Sequence, residues 1–471
     1  MPRDPSSVRA EIGHPVVDGD GHVVEPLPLV ADYIRKVAGG DVADRFAGSS
    51  GAFTVRAGPG AAQRGLRPGT AISPWWALPT DARERATGFL PALLYERLDE
   101  VGIDFAVLYS SVGLATIGHP DAAIRTGSCR GLNTYLAEVL DGYGDRMTAA
   151  AAIPMHTPDE AIAELDHAVG VLGFKAAMLN SWVARPTEDG AAPWLDVLAL
   201  DSLYDYDPVW RRCVELGVAV TVHTPSVGIG LRQSSTTYMF NHIGQFSAGS
   251  EAFAKAVVFG GVLARFPTLT FAFLEGGAAW GAMLLADLVG RWEKRGGPNI
   301  ERLDPRRVDE EEWDRLVDAY GGARFADPSV RAVMRAQSDN PPEDVDDFRA
   351  TGARDEAGLV ELFQRFYFGC EADDTMTAWA YATDVNPCRA TLRPMLGSDI
   401  GHWDVTDTTL VLGEAYELVE RGLLTLEQFR EFACDNCIRL HGSMNPRFFD
   451  GTRVEGYARA LLGSEARPAS G

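Results

Sequence analysis

Residues 16–25 read Val-Val-Asp-Gly-Asp-Gly-His-Val-Val-Glu. The run Val16–His22 starts on β-branched residues and ends on glycine and polar groups, as a strand does when it enters a loop that carries chemistry. Asp20 and His22 stand two apart, so on a strand both side chains leave from the same face. There they could grip one divalent ion. The alternative is a surface aspartate near a turn, beside an unrelated histidine.

Seven further runs share this grammar: Phe105–Ser110, Thr148–Pro154, Gly173–Asn180, Ala219–Pro225, Thr270–Gly277, Arg365–Glu371 and Arg393–Ile400. Their apolar character is continuous rather than alternating, which suits strands buried on both faces of a parallel sheet. Helical patterns follow several of them. Thr157–Val171 opens with Thr157-Pro158-Asp159-Glu160, a capping residue followed by proline and acids in the first turn. Leu410–Arg421 follows the eighth run. Eight strands alternating with helices predict a closed α/β fold, a TIM-like (β/α)8 barrel with its site at the C-terminal strand ends.

Two stretches break the repeat and read as insertions within one domain spanning residues 1–471. Residues 39–88, after the first strand, are rich in Gly, Ala and Pro and hold the pair Trp75-Trp76. Residues 295–364, between the sixth and seventh strands, are dense in charge and read as mostly helical, with Asp309-Glu310-Glu311-Glu312 and Glu343-Asp344-Val345-Asp346-Asp347 as a solvated face. Long excursions on a rigid barrel serve as lids or partner surfaces. The tail after Arg459 is small and polar and is expected to fray.

Composition bounds the function class. The chain has 471 residues, 46% of them hydrophobic, and a formal net charge of −23, which disfavours nucleic acid and anionic membrane as partners. The first residues hold no apolar signal core, and no apolar run reaches the roughly 18 residues of a spanning helix. Six scattered cysteines do not make a disulfide scaffold, and a cytoplasmic location is the default expectation. Cys434-Asp435-Asn436-Cys437 has C-x-x-C spacing but sits in an apparent helix, Leu426–Leu440, with no second pair, and reads as core packing.

Other candidates lie at strand ends. The fifth run ends Val222-His223-Thr224-Pro225, and the eighth continues Gly397-Ser398-Asp399-Ile400-Gly401-His402-Trp403-Asp404. A buried strand-end acid needs a cation or hydrogen-bond donors. Together Asp20, His22, His223 and Asp399 are the candidate metal ligands; taken singly, His223 could equally be a satisfied core residue. His402 is a candidate catalytic group and Asp404 could orient it. His156, His242 and Trp403 are candidate substrate contacts, with helix entry the alternative for His156 and packing for Trp403. Lys175 sits early in its strand, away from the catalytic end, and Glu25 reads as a structural partner near the first strand.

The segments DGDGHVVEP, AAAIPMHTPDEA, GFKAAML, VTVHTP, FPTLTFAFLEGGAAW, FGCEADD and MLGSDIGHWD resemble, in order and over roughly residues 15–445, the landmarks of the amidohydrolase-related family. That family includes the non-oxidative decarboxylases for aminocarboxymuconate semialdehyde, resorcylate and carboxyvanillate, alongside hydrolases. The resemblance implies one divalent ion, zinc or manganese, held by Asp20, His22, His223 and Asp399, a small-molecule substrate and a homodimer. Asp20 stands where other members carry His or Glu. Glu275 stands where the decarboxylases carry a catalytic histidine, so Glu275 becomes the candidate acid or base beside Asp399 and His402; a structural partner for an arginine or a helix N-terminus is its alternative. The resemblance implies decarboxylation of a small aromatic or unsaturated carboxylic acid. The alternatives are a metal-dependent hydrolase of an amide, ester or lactone using metal-bound water, and a catalytically inactive binding barrel.

Overall fold

The computed structural model describes residues 2–48, 78–187, 193–225, 232, 234, 237–336 and 345–465. Trp75, Trp76, Glu343, Asp344 and the end of the tail lie outside the described residues.

The eight predicted runs form one sheet in chain order. Its strands are β1 (Val17–Val23), β2 (Phe105–Ser110), β3 (Met147–Ala152), β4 (Ala176–Leu179), β5 (Val220–Val222), β6 (Phe271–Phe273), β7 (Phe366–Glu371) and β8 (Arg393–Gly397). Every ladder between neighbours is parallel. Helices cross between consecutive strands because parallel neighbours need a crossover. The helix Pro158–Gly170 starts at Thr157, whose side chain accepts from the Glu160 amide at 3.2 Å. A short antiparallel ribbon, Val183–Arg185 with Trp194–Asp196, follows β4 and had no counterpart among the eight runs.

Residues on the strands sort with period two into two cores. Phe105, Val107 and Tyr109, with Ala150, Ala152, Ala176, Met178, Ala272, Leu274, Tyr367 and Met395, fill the barrel interior. Ala106, Leu108, Ala177, Val220, Val222, Phe271, Phe273, Phe366 and Phe368 face the helices. The floor of the barrel is closed by Cys434, Cys437, Ile438, Leu440, Phe448 and Phe449, which pack against the interior set. There Lys175 Nζ donates to the Phe448 carbonyl at 2.9 Å. The C-x-x-C pair spans a π-helical turn, Glu431–Asp435, and the helix Asn436–Met444, and both sulfurs are buried.

Closure is irregular where β1 meets β8. The β1–β2 register places Asp18 opposite Ala106 and Gly21 opposite Leu108, so β1 carries one extra residue between them. This bulge resets the strand's phase. Asp18 and Gly21 share the outward phase of Ala106 and Leu108, whereas His22 pairs with inward-facing Tyr109. Across the seam His22 N–H donates to the Ile400 carbonyl at 3.0 Å, and Asp399 N–H to the Asp20 carbonyl at 2.9 Å.

Beyond β6 the described excursion is helical, with Glu310–Tyr320, Gly322–Phe325, Pro328–Ala336 and Glu356–Phe363. Its Asp309 caps the first of these helices, accepting from Glu312 N–H at 2.9 Å. No described helix is long and apolar enough to cross a membrane.

Candidate metal centre

At the C-terminal mouth, β1 presents Asp20 and His22, β5 is followed by His223, and β8 by Asp399. All four are buried, at 2% exposure or less. Their ligand atoms fall into two overlapping sets, each within 4.8 Å: Asp20, His22 and His223; and His22, Glu275, Asp399 and His402. His22 Nε2 lies 3.6 Å from Asp20 Oδ1 and 3.3 Å from Asp399 Oδ1. The rings of His22 and His223 meet edge-on at 5.2 Å, while His402 stacks on His22 at 3.9 Å.

Two of these residues have backbones that side chains rarely adopt. Glu275 has φ 54° and Asp399 has φ 49°. At Glu275 the left-handed turn matters for direction. Leu274 already occupies the inward phase of β6, and a regular strand would send the next side chain outward. The turn instead brings Glu275 Oε2 to 3.3 Å from His223 Nε2 and Oε1 to 3.9 Å from His402 Nδ1. No arginine pairs with Glu275 among the described residues; its partners are imidazoles. Backbone strain of this kind costs about 1–3 kcal/mol and concentrates at functional sites.

The cluster is electrostatically unfinished without a cation. Asp20 Oδ1, His22 Nε2, His223 Nε2 and both Asp399 oxygens are buried with no well-aligned hydrogen-bond partner. Asp399 Oδ1 does lie 2.7 Å from His402 Nδ1, so that imidazole shares the carboxylate. Burial, and after it the charge of Glu275, pushes the Asp20 carboxyl well above the usual range. Burial and then Asp404 and Glu275 do the same to Asp399. Burial, reinforced by His402 and His223, keeps His22 neutral by pushing its pKa down; burial also lowers His223. At Glu275 burial works upward too, but a proton taken up by the facing imidazoles of His223, His402 or His242 would outweigh it, and that pairing holds the carboxyl low. Two carboxylates and two neutral imidazoles balance one divalent cation, and orphaned N and O atoms gathered around the shared His22 are the donor types such an ion takes. The residues therefore fit the group.

The remaining candidates divide. His242 joins the rim: its ring lies 5.1 Å from Phe246 and 5.5 Å from Trp403, and Glu275 and Asp404 are its charged neighbours. His402 is further tied to Ser111, whose Oγ lies 3.0 Å from Nε2. His156 has different company, Arg125, Arg185 and His119, and its carbonyl accepts from Arg185, so the structure does not bring it to the cluster. Glu25 accepts from the Val112 amide at 2.9 Å, a support beneath the helix that starts at Ser111.

Three residues of the site escaped the sequence reading. Glu371 ends β7 in the inward phase of Tyr367, and burial followed by the charge of Glu275 raises its carboxyl to about 8. Its signal was period two, hidden in the acidic run Glu371-Ala372-Asp373-Asp374. Tyr109 holds a buried hydroxyl without a well-aligned hydrogen-bond partner, its ring 6.2 Å from those of His22 and His223. Phe246 lies edge-on to His223 at 5.9 Å; as one aromatic in a loop-to-helix segment it carried no signal.

Comparison with known proteins places this geometry. The family model described as amidohydrolase matches residues 18–325. A gamma-resorcylate decarboxylase of Rhizobium radiobacter is 30% identical over 168 residues, 32% of this chain and 49% of that protein. One from Rhodococcus jostii strain RHA1 is 28% identical over 171 residues, 32% of this chain and 49% of that protein. The chain thus spans about half the length of the curated relatives it matches. Among solved structures, an amidohydrolase from Mycobacterium avium subsp. paratuberculosis K-10 superposes with a TM-score of 0.52 at 17% identity, covering 91% of this chain and 99% of that one. A 2,6-dihydroxybenzoate decarboxylase complexed with 2,6-dihydroxybenzoate gives 0.50 at 17% identity, with the same coverage of both chains. At that identity these superpositions speak for the barrel alone. Since the family match runs through more than half of the 471 residues, the chain belongs to the amidohydrolase family.

Proposed function

We propose that this protein is a metal-dependent enzyme that removes CO2 from a small aromatic or unsaturated carboxylic acid. The observation that carries the reading is the gathering of orphaned ligand atoms from β1, β5 and β8 in one buried cluster around His22, beside a rim of Phe246, His242 and Trp403. The names of the relatives, gamma-resorcylate decarboxylases, support the same chemistry. Asp20, His22, His223 and Asp399 would hold the ion, zinc or manganese, given mixed N and O donors. When bound, such an ion supplies Lewis-acid polarisation of substrate oxygens. The family resemblance extends the reading to a homodimer, and a cytoplasmic location is the default for a chain with six scattered cysteines.

The chain's own residues account for the rest. The aromatic rim offers a planar substrate edge and face contacts. Loss of CO2 breaks a C–C bond and leaves its electron pair on the substrate carbon, which must then take a proton. Glu275 and His402, whose Oε1 and Nδ1 lie 3.9 Å apart, are the groups that can carry it. Burial of the cluster excludes competing water.

One observation favours a second reading. A carboxylate, Glu275, 3.3 Å from His223 Nε2, is also suited to accept a proton from water, as amide, ester or lactone hydrolysis requires. The test begins with metal content of purified wild type and His223→Ala. About one zinc or manganese per chain, lost in the variant, is expected; no metal after reconstitution, or equal metal in both, would refute the site. The loaded enzyme is then assayed for CO2 release from hydroxylated benzoates beside a panel of amides, esters and lactones. Hydrolysis without CO2 release would transfer the proposal to the second reading.

A further inference from the structure

We infer that Asp18, which does not face the metal centre, is the positioning residue that sets the Asp20–Asp399 geometry by clamping β1 to the end of β8. The inference rests on the metal reading above.

Asp18 is 1% exposed and lies on the outward phase of β1, two residues before Asp20. Its carboxylate makes three hydrogen bonds, two of them across the seam and one within β1. Oδ1 accepts from Ser398 N–H at 2.9 Å and from Asp20 N–H at 3.1 Å, and Oδ2 accepts from Ser398 Oγ at 2.6 Å. One carboxylate thereby holds the amide of one candidate ligand and the residue immediately before another. Ser398 passes the constraint on, because its Oγ also accepts from Ile400 N–H at 3.2 Å, so both flanks of Asp399 are tied.

The clamp answers a need created by closure. β1 is bulged at this point, and the seam to β8 is made by individual bonds, Asp399 N–H to Asp20 O and His22 N–H to Ile400 O. Asp399 sits in the left-handed region with φ 49°, a conformation that persists only where its surroundings over-determine it. Space has been left for the carboxylate: a Cβ on Gly21 would come within 2.7 Å of Asp18 Oδ2 and 3.0 Å of Leu108 Cδ2. These three donors face the buried carboxylate on the side of β1 away from the ligand cluster.

The inference separates position from charge. Asp18→Asn keeps an acceptor for the two amides and can donate its Nδ2–H to Ser398 Oγ, while Asp18→Ala removes all three bonds. Ser398→Ala removes only the two bonds of its hydroxyl. The experiment is chelator competition to obtain Kd for manganese and for zinc on each apo-protein, with the thermal midpoint of the same apo samples measured alongside. Asp18→Ala is expected to bind about 10–100-fold more weakly, the scale of lost support behind a metal ligand, and Ser398→Ala about 10-fold. Asp18→Asn is expected to remain within about threefold of wild type. A merely structural Asp18 would lower the midpoint and leave Kd unchanged, and that result overturns the inference. Asp18→Asn binding as weakly as Asp18→Ala would overturn it too, by assigning the effect to charge. If Asp18→Ala does not fold, Ser398→Ala and Asp18→Asn decide on the same criteria. A wild type that binds neither metal refutes the metal reading itself, a separate outcome from a variant that binds like wild type.

Discussion

Substituting Gly397 with alanine tests how Asp20 is seated. A Cβ built there would lie 2.9 Å from the Asp20 Cβ, 3.6 Å from its Oδ2 and 3.6 Å from the Cys370 carbonyl. Carbon atoms pack comfortably at about 3.5–4.0 Å, so something must yield by roughly 0.6–1 Å. Gly397 is not among the residues with positive φ, so space rather than conformation forbids the side chain. Its strand is held in register, Gly397 opposite Glu371, whereas Asp20 stands on the bulged stretch of β1 and is the freer partner. Overpacking of this size costs about 1–3 kcal/mol of stability. A ligand displaced by about 1 Å also loses the productive geometry, for which a hundredfold fall in turnover is the expected order. The assay is a chelator-competition Kd and a steady-state rate on the loaded protein, with the thermal midpoint measured separately. A midpoint that falls while Kd and rate stay within about threefold of wild type would refute Asp20 as a ligand seated by this contact.

Replacing Glu275 with Gln should retain the ion and lower turnover by about 10²–10⁴-fold, the scale of general acid–base catalysis; undiminished turnover would reduce Glu275 to a structural group. His441 is buried with neither nitrogen hydrogen-bonded, and burial drops its pKa to about 3, against 6.5 when unfolded. The unfolded chain therefore binds this proton first, so stability falls as pH drops below 6.5, by about 1.4 kcal/mol between pH 7.5 and 5.5. Denaturant titrations at the two pH values should show that increment shrinking by about this amount in His441→Leu, and an equal slope in both proteins would contradict it. Glu84 holds Arg97, 2% exposed, at 2.8 Å and accepts from Thr408 N–H at 3.2 Å. Glu84→Ala leaves that buried guanidinium only Thr87 Oγ1 at 2.6 Å and the longer 3.5 Å contact to Glu100, and calorimetry should register a loss of up to about 3–5 kcal/mol; a loss under about 1 kcal/mol would mean that Glu100 or water takes over the charge.

The barrel was legible because each of its strands is an apolar run punctuated by glycine or polar residues, and Phe105–Ser110 matches its run at both ends. The runs for β4, β5 and β6 overshoot, since only Ala176–Leu179, Val220–Val222 and Phe271–Phe273 stay in the ladder. Their C-terminal residues leave the sheet to deliver side chains to the mouth, and apolar pattern does not mark that departure. Asp20 and His22 were legible from their spacing, though the bulge that turns both inward is invisible in it. Glu275 was named from its place in a motif; its direction depends on a positive φ at a non-glycine residue, which sequence does not announce. Tyr109 could not be separated from the core it sits in. The segment after β5, where further pocket residues would be sought, lies largely outside the described residues.

The seam between β1 and β8 also dictates when this site can exist. Asp18 and Ser398 are 380 positions apart in the chain, so Asp20 and Asp399 meet only after the barrel has closed. Contacts of such separation form late, because the entropy of the intervening loop is lost before they can contribute. A nascent chain would reach the ribosome's exit with β1 through β7 available and still lack a complete ligand set. Metal uptake by this protein should thus act as a clock for the last step of folding, its onset coinciding with the arrival of the final strand.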